Sequence, residues 1–425
     1  MNMFSIRMIC CLLFFACFAF VVAMSPLHAQ TAQTAWAKQV DGDIEKYRTC
    51  ELRVLVVDEK GKPVPGAVVE IEQSKHAFTW GVVLPAKGVD GSVFDGSQLV
   101  WRCFNAISLD RMARWTKLQP EMDKPRGMQA VWHTVNIAQS WGLGVNWGTV
   151  LAADHGLWPE WVAMLRGRKL EAMLDRYVRT NMLEYGERVK QFDLYAGMLT
   201  RDTVSDRLGP QMLRRLYEQA KADAPNAVMT VRFSDALVGS RSQAMINKVA
   251  ELREKMIPFD AIAIEQEIGG NFNAPVLARS LHWLDAMDTD VVISGLEVGG
   301  GSEAGAAFNL DIMLRILFAQ PNVKGIYIRG LTPSETNDPN ASLIDLRGHL
   351  TQAGRAFEKL VHGEWWTNLK GKTDSLGNYR ARVFAGNQRV VVRLPNGLQL
   401  QTNVWLTPGP GERMVMLEPL KQEKP

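Results

Sequence analysis

The chain has 425 residues, 47% of them hydrophobic and 22% charged, with a formal net charge of +3. That length accommodates one large domain of about 250–300 residues plus a smaller module. The near-neutral balance excludes the broad basic field that nucleic acid demands, so nucleic acid is set aside as a partner.

The first thirty residues stand apart. Arg7 is the only charged side chain from Met1 to Ala29, and it is followed by the apolar run MICCLLFFACFAFVVAM and by SPLHAQ. A charged start, apolar middle and small-residue exit predict a secretory signal peptide over residues 1–29, cleaved after Ala29. The protein is then secreted or periplasmic, with no integral span after cleavage. The alternative is a retained anchor, since the run is just short of a full span of about 20 residues. Cleavage removes Cys10, Cys11 and Cys17 and leaves Cys50 and Cys103, which can pair in an oxidising compartment. No Cys/His spacing marks a metal site, and no cofactor is expected.

After a polar stretch to about Tyr47, LRVLVVDEKGKPVPGAVVEIEQ predicts two strands around a Gly/Pro turn, a β-hairpin within 44–75. From 76 to 362, apolar strand-like runs alternate with amphipathic helical segments such as KLEAMLDRYVRTNMLEYGERV. The runs are HAFTWGVV, FNAISL, LGVNWGTVL, FDLYAGML, AVMTVRF, FDAIAIEQEI, DVVISGLEV and VKGIYIRGL. Eight strand–helix units predict an α/β fold, a closed (β/α)₈ TIM barrel. A last helix, about Thr351 to His362, ends at Gly363. Over 363–421, YRARVFA, QRVVVRL and LQLQTNVWL predict short strands that cannot bury much alone. They are expected to join the N-terminal hairpin in a small accessory β-sandwich, with Trp365 and Trp366 gluing it to the barrel.

From about Ile44 onward the sequence resembles glycoside hydrolase family 10, the endo-β-1,4-xylanases. GKPVPGAVVEIEQSKHAFTWG, FNAISLDRMARW, FDLYAGMLTRDTVSDRLG, FDAIAIEQEI, VVISGLEV, KGIYIRGL and LIDLRGHLTQAGRAFEKL carry the likeness in order. The resemblance implies a β-glycan polysaccharide or oligosaccharide as partner. It also implies a retaining glycosidase, which needs two carboxyl groups about 5–5.5 Å apart. Here Gly197 stands at the acid/base position and Gly295 at the nucleophile position, so neither proton donor nor nucleophile is present there. Other positions differ from the family too: Asp110 and Arg111 stand for Glu-Asn, Arg114 for a sugar-binding Lys, and Gly148 for a His. Glu265 and Glu267 stand for Gln and His, and Arg329 for a Trp.

Glu265, Glu267 and Glu297 are the candidate relocated carboxylates, able to share one face of the barrel mouth. The competing view makes them a structural network with the arginines. Arg114, Trp115, Asn146, Trp147 and Arg329 are the ligand-binding candidates, and Trp158 and Trp161 follow strand three. His133, His155 and His282 lack a nucleophile elbow. GLEVGGGSEAG lacks the P-loop lysine and dinucleotide spacing and reads as a flexible loop. The expected function is glycan binding or assembly by a degenerate barrel of polysaccharide metabolism. A hydrolase using the relocated carboxylates and a structural envelope protein are the alternatives.

Overall fold

The structure, a computed structural model, describes residues 26–85, 102–124, 126–270 and 272–419. Most of the expected signal peptide therefore lies outside the described residues. No helix among them is long and apolar enough to cross a membrane.

Helix α1 (Pro26–Arg48) is followed by β1 (Thr49–Val56) and β2 (Val68–His76). The barrel strands are β3 (Thr79–Val83), β4 (Ala106–Ser108), β5 (Gly144–Ala152), β6 (Gln191–Ala196), β7 (Val228–Ser234), β8 (Ala261–Ile268), β9 (Asp290–Val298) and β10 (Val323–Ile328). All are parallel, and β10 pairs with β3 to close the barrel. Eight strands close tightly enough for side chains to fill the interior. Outside run α2 (Met128–Ser140), α3 (Gly167–Tyr185), α4 (Pro210–Asp223), α5 (Ser240–Glu254), α6 (Ala274–Ser280), α7 (Glu303–Ala319) and α8 (Gln352–Lys359). In α3 the buried Leu170, Leu174, Tyr177, Val178, Met182 and Tyr185 recur at helical spacing, the single apolar stripe expected of a barrel helix.

Beyond the barrel come β11 (Asn368–Lys372), β12 (Asn378–Phe384), β13 (Gly386–Arg393), β14 (Gln399–Leu406) and β15 (Glu412–Leu417). They form two sheets, β12-β1-β15 and β11-β2-β13-β14. Alternate residues of both, including Leu52, Val54, Val69, Ile71, Val383, Val390 and Val392, enclose a separate core. This is sandwich geometry drawn from both chain ends.

Three expectations change. The N-terminal strands are not a paired hairpin: after one bridge, Val57 to Pro63, they diverge into different sheets. Long-range partners bury both apolar faces, which a two-stranded ribbon cannot. Cys50 and Cys103 are both free and buried, one in the sandwich core and the other in the barrel core, so they do not pair. The polar stretch before Tyr47 is helical, and its Val40 and Ile44 pack into the barrel core.

At the N-terminal ends of the barrel strands, Trp80 stacks on Trp365 with ring centres 5.4 Å apart. Phe318 touches both indoles and Phe384. Trp366 instead stacks on His362, so of the two tryptophans only Trp365 enters this junction. Arg48, buried, donates to the carbonyls of Phe318 at 2.6 Å and Val323 at 2.9 Å. It thereby caps the end of α7, where unpaired carbonyls favour a cation.

Candidate functional site

The C-terminal strand ends, where barrel proteins place their chemistry, carry three glycines that face three different surroundings. Gly148 on β5 has φ +79°, and a side chain there would meet Asp110 Cα at 2.4 Å. Gly295 on β9 lies under Glu265, whose Cγ is 3.4 Å from where a Cβ would stand. Gly197, just past β6 with φ +90°, faces open space. Two of the vacated places are thus overlaid by carboxylate side chains from neighbouring strands, and the third is empty.

Arg232 on β7 organises the interior side of this mouth. Its guanidinium is buried and lies 2.6 Å from Asp110 Oδ1, 2.8 Å from Glu265 Oε2 and 3.4 Å from Asp193 Oδ2. Asp193 on β6 also accepts from Gln191 Nε2 and Thr230 Oγ1. Arg329, just after β10, donates to Glu265 Oε1 at 2.7 Å, to Glu297 Oε2 at 3.0 Å and to Glu267 Oε2 at 3.2 Å. Glu297 further accepts from the backbone N–H of Asn337 at 2.6 Å and of Asp338 at 3.2 Å. The three candidate carboxylates are therefore brought together, on one arginine. At the rim, Arg111 pairs with Glu335.

The electrostatics follow. Burial alone would raise Asp110 and Glu265, but the facing Arg232, with Arg114 or Arg329, holds both below the ordinary carboxylate range. Asp193 goes the other way, because its complete burial outweighs its share of Arg232. Arg232 and Arg329 are raised by their acidic neighbours despite burial. Glu265 is therefore an anionic acceptor and has no proton to donate at neutral pH.

Beside this network opens a cavity of about 260 Å³, bordered by Trp115, Trp158, Leu157, Arg114, Gly197 and Glu265. Trp115 is largely buried, stacked on Tyr177 at 3.8 Å, and presents only an edge. Trp158 donates its Nε1–H to the Ala152 carbonyl at 2.8 Å, which fixes that indole in the wall. Arg114, about half exposed, has one partner, Asp110 Oδ2, at 3.3 Å. Most of its donors are free to meet a ligand.

Three ligand candidates do not line the cavity: Arg329 is engaged by Glu265, Glu267 and Glu297, and the other two are buried. Trp147 is fully buried against Tyr185 and Phe192 on the helix side of β5. Asn146 is fully buried too, with Oδ1 turned onto the Gly148 N–H at 2.8 Å. Trp161 is half-buried and donates to the Gln119 carbonyl. His133 is exposed on α2, and His155 sits beside Thr203; the side chain of His282 lies outside the described residues. In the glycine run, Asp338 Oδ2 accepts from the amides of Gly300 and Gly301 at 3.2 and 3.4 Å, so an internal carboxylate holds what was expected to be a loose loop. Among the described residues, no group of three His, Cys, Asp or Glu side chains is placed to hold a metal ion.

Arg232 and Asp193 were not singled out from the sequence. Their signal is a charged residue inside an otherwise apolar strand, in VMTVRFS and QFDLYA. Such a residue is buried with a partner or does not occur there.

A closed parallel barrel with indoles, arginines and a carboxylate around a cavity at its C-terminal end defines a (β/α)₈ barrel protein with its candidate site at the strand ends. The chain belongs to glycosyl hydrolase family 10, whose description matches residues 71–344, more than half of its length. It is similar to the anti-sigma-I factor RsgI6 of Acetivibrio thermocellus, at 24% identity over 368 residues, 85% of this chain and 47% of that protein. It is also similar to endo-1,4-beta-xylanase 1 of Arabidopsis thaliana, at 22% identity over 77% of this chain and 34% of that one. The chain thus spans between about a third and about half of these two relatives. Among solved structures, xylanase 10B of Thermotoga petrophila RKU-1 in complex with xylobiose superposes with a TM-score of 0.58 and 17% identity, covering 68% of this chain and 95% of that one. That likeness shows the fold.

Proposed function

We propose that the protein is an exported barrel that binds a β-glycan at the mouth cavity and does not cleave it by the family's retaining mechanism. One observation carries the proposal: among the described residues Glu265 is the only carboxylate that lines the cavity, and Gly197 faces open space. Retention needs a proton donor facing a nucleophile about 5–5.5 Å away. Glu265 alone, ionised and clamped between Arg232 and Arg329, supplies no proton and is a poor nucleophile. What the cavity retains suits binding, namely an apolar wall of Trp115, Trp158 and Leu157 facing the Arg114 donors. The xylanase relatives support a β-1,4-linked glycan as ligand, and the relative named as an anti-sigma factor supports a role in which binding is the output.

A second reading rests on Glu265 standing over Gly295, where it is a relocated carboxylate of a working hydrolase. Reducing-sugar release from xylan and mixed β-glucans, together with affinity electrophoresis in soluble xylan, separates the two. The expected result is no release, retained retardation, and at least about tenfold weaker binding in Leu157→Arg, which projects a charged chain into the cavity; tenfold corresponds to about 1.4 kcal/mol. Release that disappears in Glu265→Gln establishes the hydrolase. Neither release nor retardation moves the assignment to a structural envelope role.

A further inference from the structure

The barrel closes on itself, so among the described residues the strand edges left unpaired belong to the sandwich. An exposed edge is a template for another strand, and proteins guard it with charges, proline, bulges or short length. Three of the four edges are guarded. The edge strand β11 has five residues and carries Lys370 and Lys372; β12 carries Arg380 and Arg382; β15 carries Glu412 and Arg413. The fourth, β14, reads QLQTNVWL: eight residues, no charge, no proline, and an unbroken register against β13. Its outward residues Gln399, Gln401, Asn403 and Trp405 are all exposed, and its inward Leu400, Thr402 and Val404 are half-buried. One strand in, Arg389 and Arg393 are matched by Glu72 and Glu70, which leaves no net repulsion behind the edge.

We propose that β14 is a self-association edge, through which two copies of this chain join antiparallel and merge two four-stranded sheets into one of eight. The occupant follows from the sequence of the strand itself. A two-fold axis through Thr402 sets Gln401 opposite Asn403, Leu400 opposite Val404, and Gln399 opposite Trp405. Each pair shares a face, as antiparallel pairing requires: Gln401 and Asn403 meet amide to amide, Leu400 and Val404 aliphatic to aliphatic, and Gln399 lies against the Trp405 indole. The contact is isologous and closes as a dimer with no free β14 left to extend it. Gln401 and Gln399 also accept from Arg389 at 3.1 Å and Arg393 at 3.4 Å, which holds their side chains flat on the sheet and clear of the edge. The proposal is independent of what the barrel cavity binds.

Sedimentation equilibrium of the mature chain over a concentration series tests it with two variants of exposed side chains. Gln401→Lys with Asn403→Lys places like charges opposite each other twice across the axis, and the dimer is expected to be lost. Gln401→Lys with Asn403→Glu places opposite charges there, and the dimer is expected to return. Circular dichroism and matching unfolding midpoints establish that both variants keep the fold. A wild type that stays monomeric throughout overturns the proposal. So does a dimer indifferent to the lysine pair, which lies on another surface, and so does equal loss in both variants, which breaks the register.

Discussion

At the N-terminal ends of the barrel strands, Phe78, Trp80, Phe318 and Trp365 meet in a buried aromatic contact beside the sandwich. At the C-terminal ends, Asp110, Asp193, Glu265, Glu267 and Glu297 share Arg114, Arg232 and Arg329. The first region is held by many small, replaceable contacts, each worth little alone. The second is held by a few groups with no substitutes, because a buried ion whose partner is removed keeps its full desolvation cost. The contrast explains how the mouth tolerates three glycines: neighbouring charges, not packing, define its shape.

The largest test of that contrast is Arg232→Met, which strands Asp110, Asp193 and Glu265 around a thioether. Chemical denaturation should show a loss of about 3–5 kcal/mol. Arg114→Met, at the exposed rim of the same network, should cost under about 1 kcal/mol. Equal effects would mean that the network is not organised around Arg232. In the aromatic region, Trp365→Ala should cost a comparable 3–5 kcal/mol by opening a cavity, but Trp365→Phe should recover most of it. No such graded rescue is expected from Arg232→Lys, whose single ammonium cannot reach three carboxylates in the fork geometry of guanidinium.

Acid sharpens the comparison, because the two ends respond in different pH windows. His76, in the aromatic region, is held down to about 3 by burial and by the positive Arg48. Between about 6.5 and 3 the unfolded chain therefore binds a proton that the native one refuses, so stability falls as pH drops through that range. Glu265 and Asp110, depressed in the native state, contribute stability that is full above about 4 and is lost as pH falls further. Asp193, raised by burial, works with the opposite sign: the native state takes up its proton first, so it adds stability as pH falls toward about 4 and offsets part of the upper loss. Thermal midpoints measured from pH 7 to 3 should decline in both windows, and His76→Gln should flatten only the upper one.

The smallest effects separate the glycines. Gly148→Ala should cost about 1–3 kcal/mol, since a methyl would strike the Asp110 backbone and the residue adopts a left-handed conformation. Gly295→Ala should be near neutral, its methyl meeting Glu265 at ordinary van der Waals distance. Unfolding midpoints in urea that ranked these two in reverse would contradict the geometry of the mouth.

Much of this was legible beforehand. Apolar runs alternating with amphipathic helical segments marked the eight strands, because a parallel strand buried on both faces leaves a nearly continuous apolar trace. The convergence of Glu265, Glu267 and Glu297 was legible because residues two apart share a face. The same parity was available for Trp147, which alternates with the mouth-facing Gly148 and so turns to the helices. What stayed hidden depends on distant partners. Nothing local in β1 and β2 says that they pair with strands about three hundred residues or more away rather than with each other. The Arg232 hub likewise exists only because three other strands bring it acids.

The pairing of β1 with β12 and β15 has a consequence for biogenesis. Leu55 faces Asn378 on one side and Met416 on the other, so β1 is not flanked on both sides until β12 and β15 are in place. Until then the apolar faces of β1 and β2 stay uncovered while the barrel assembles, which makes sandwich closure the slow, aggregation-exposed step of folding.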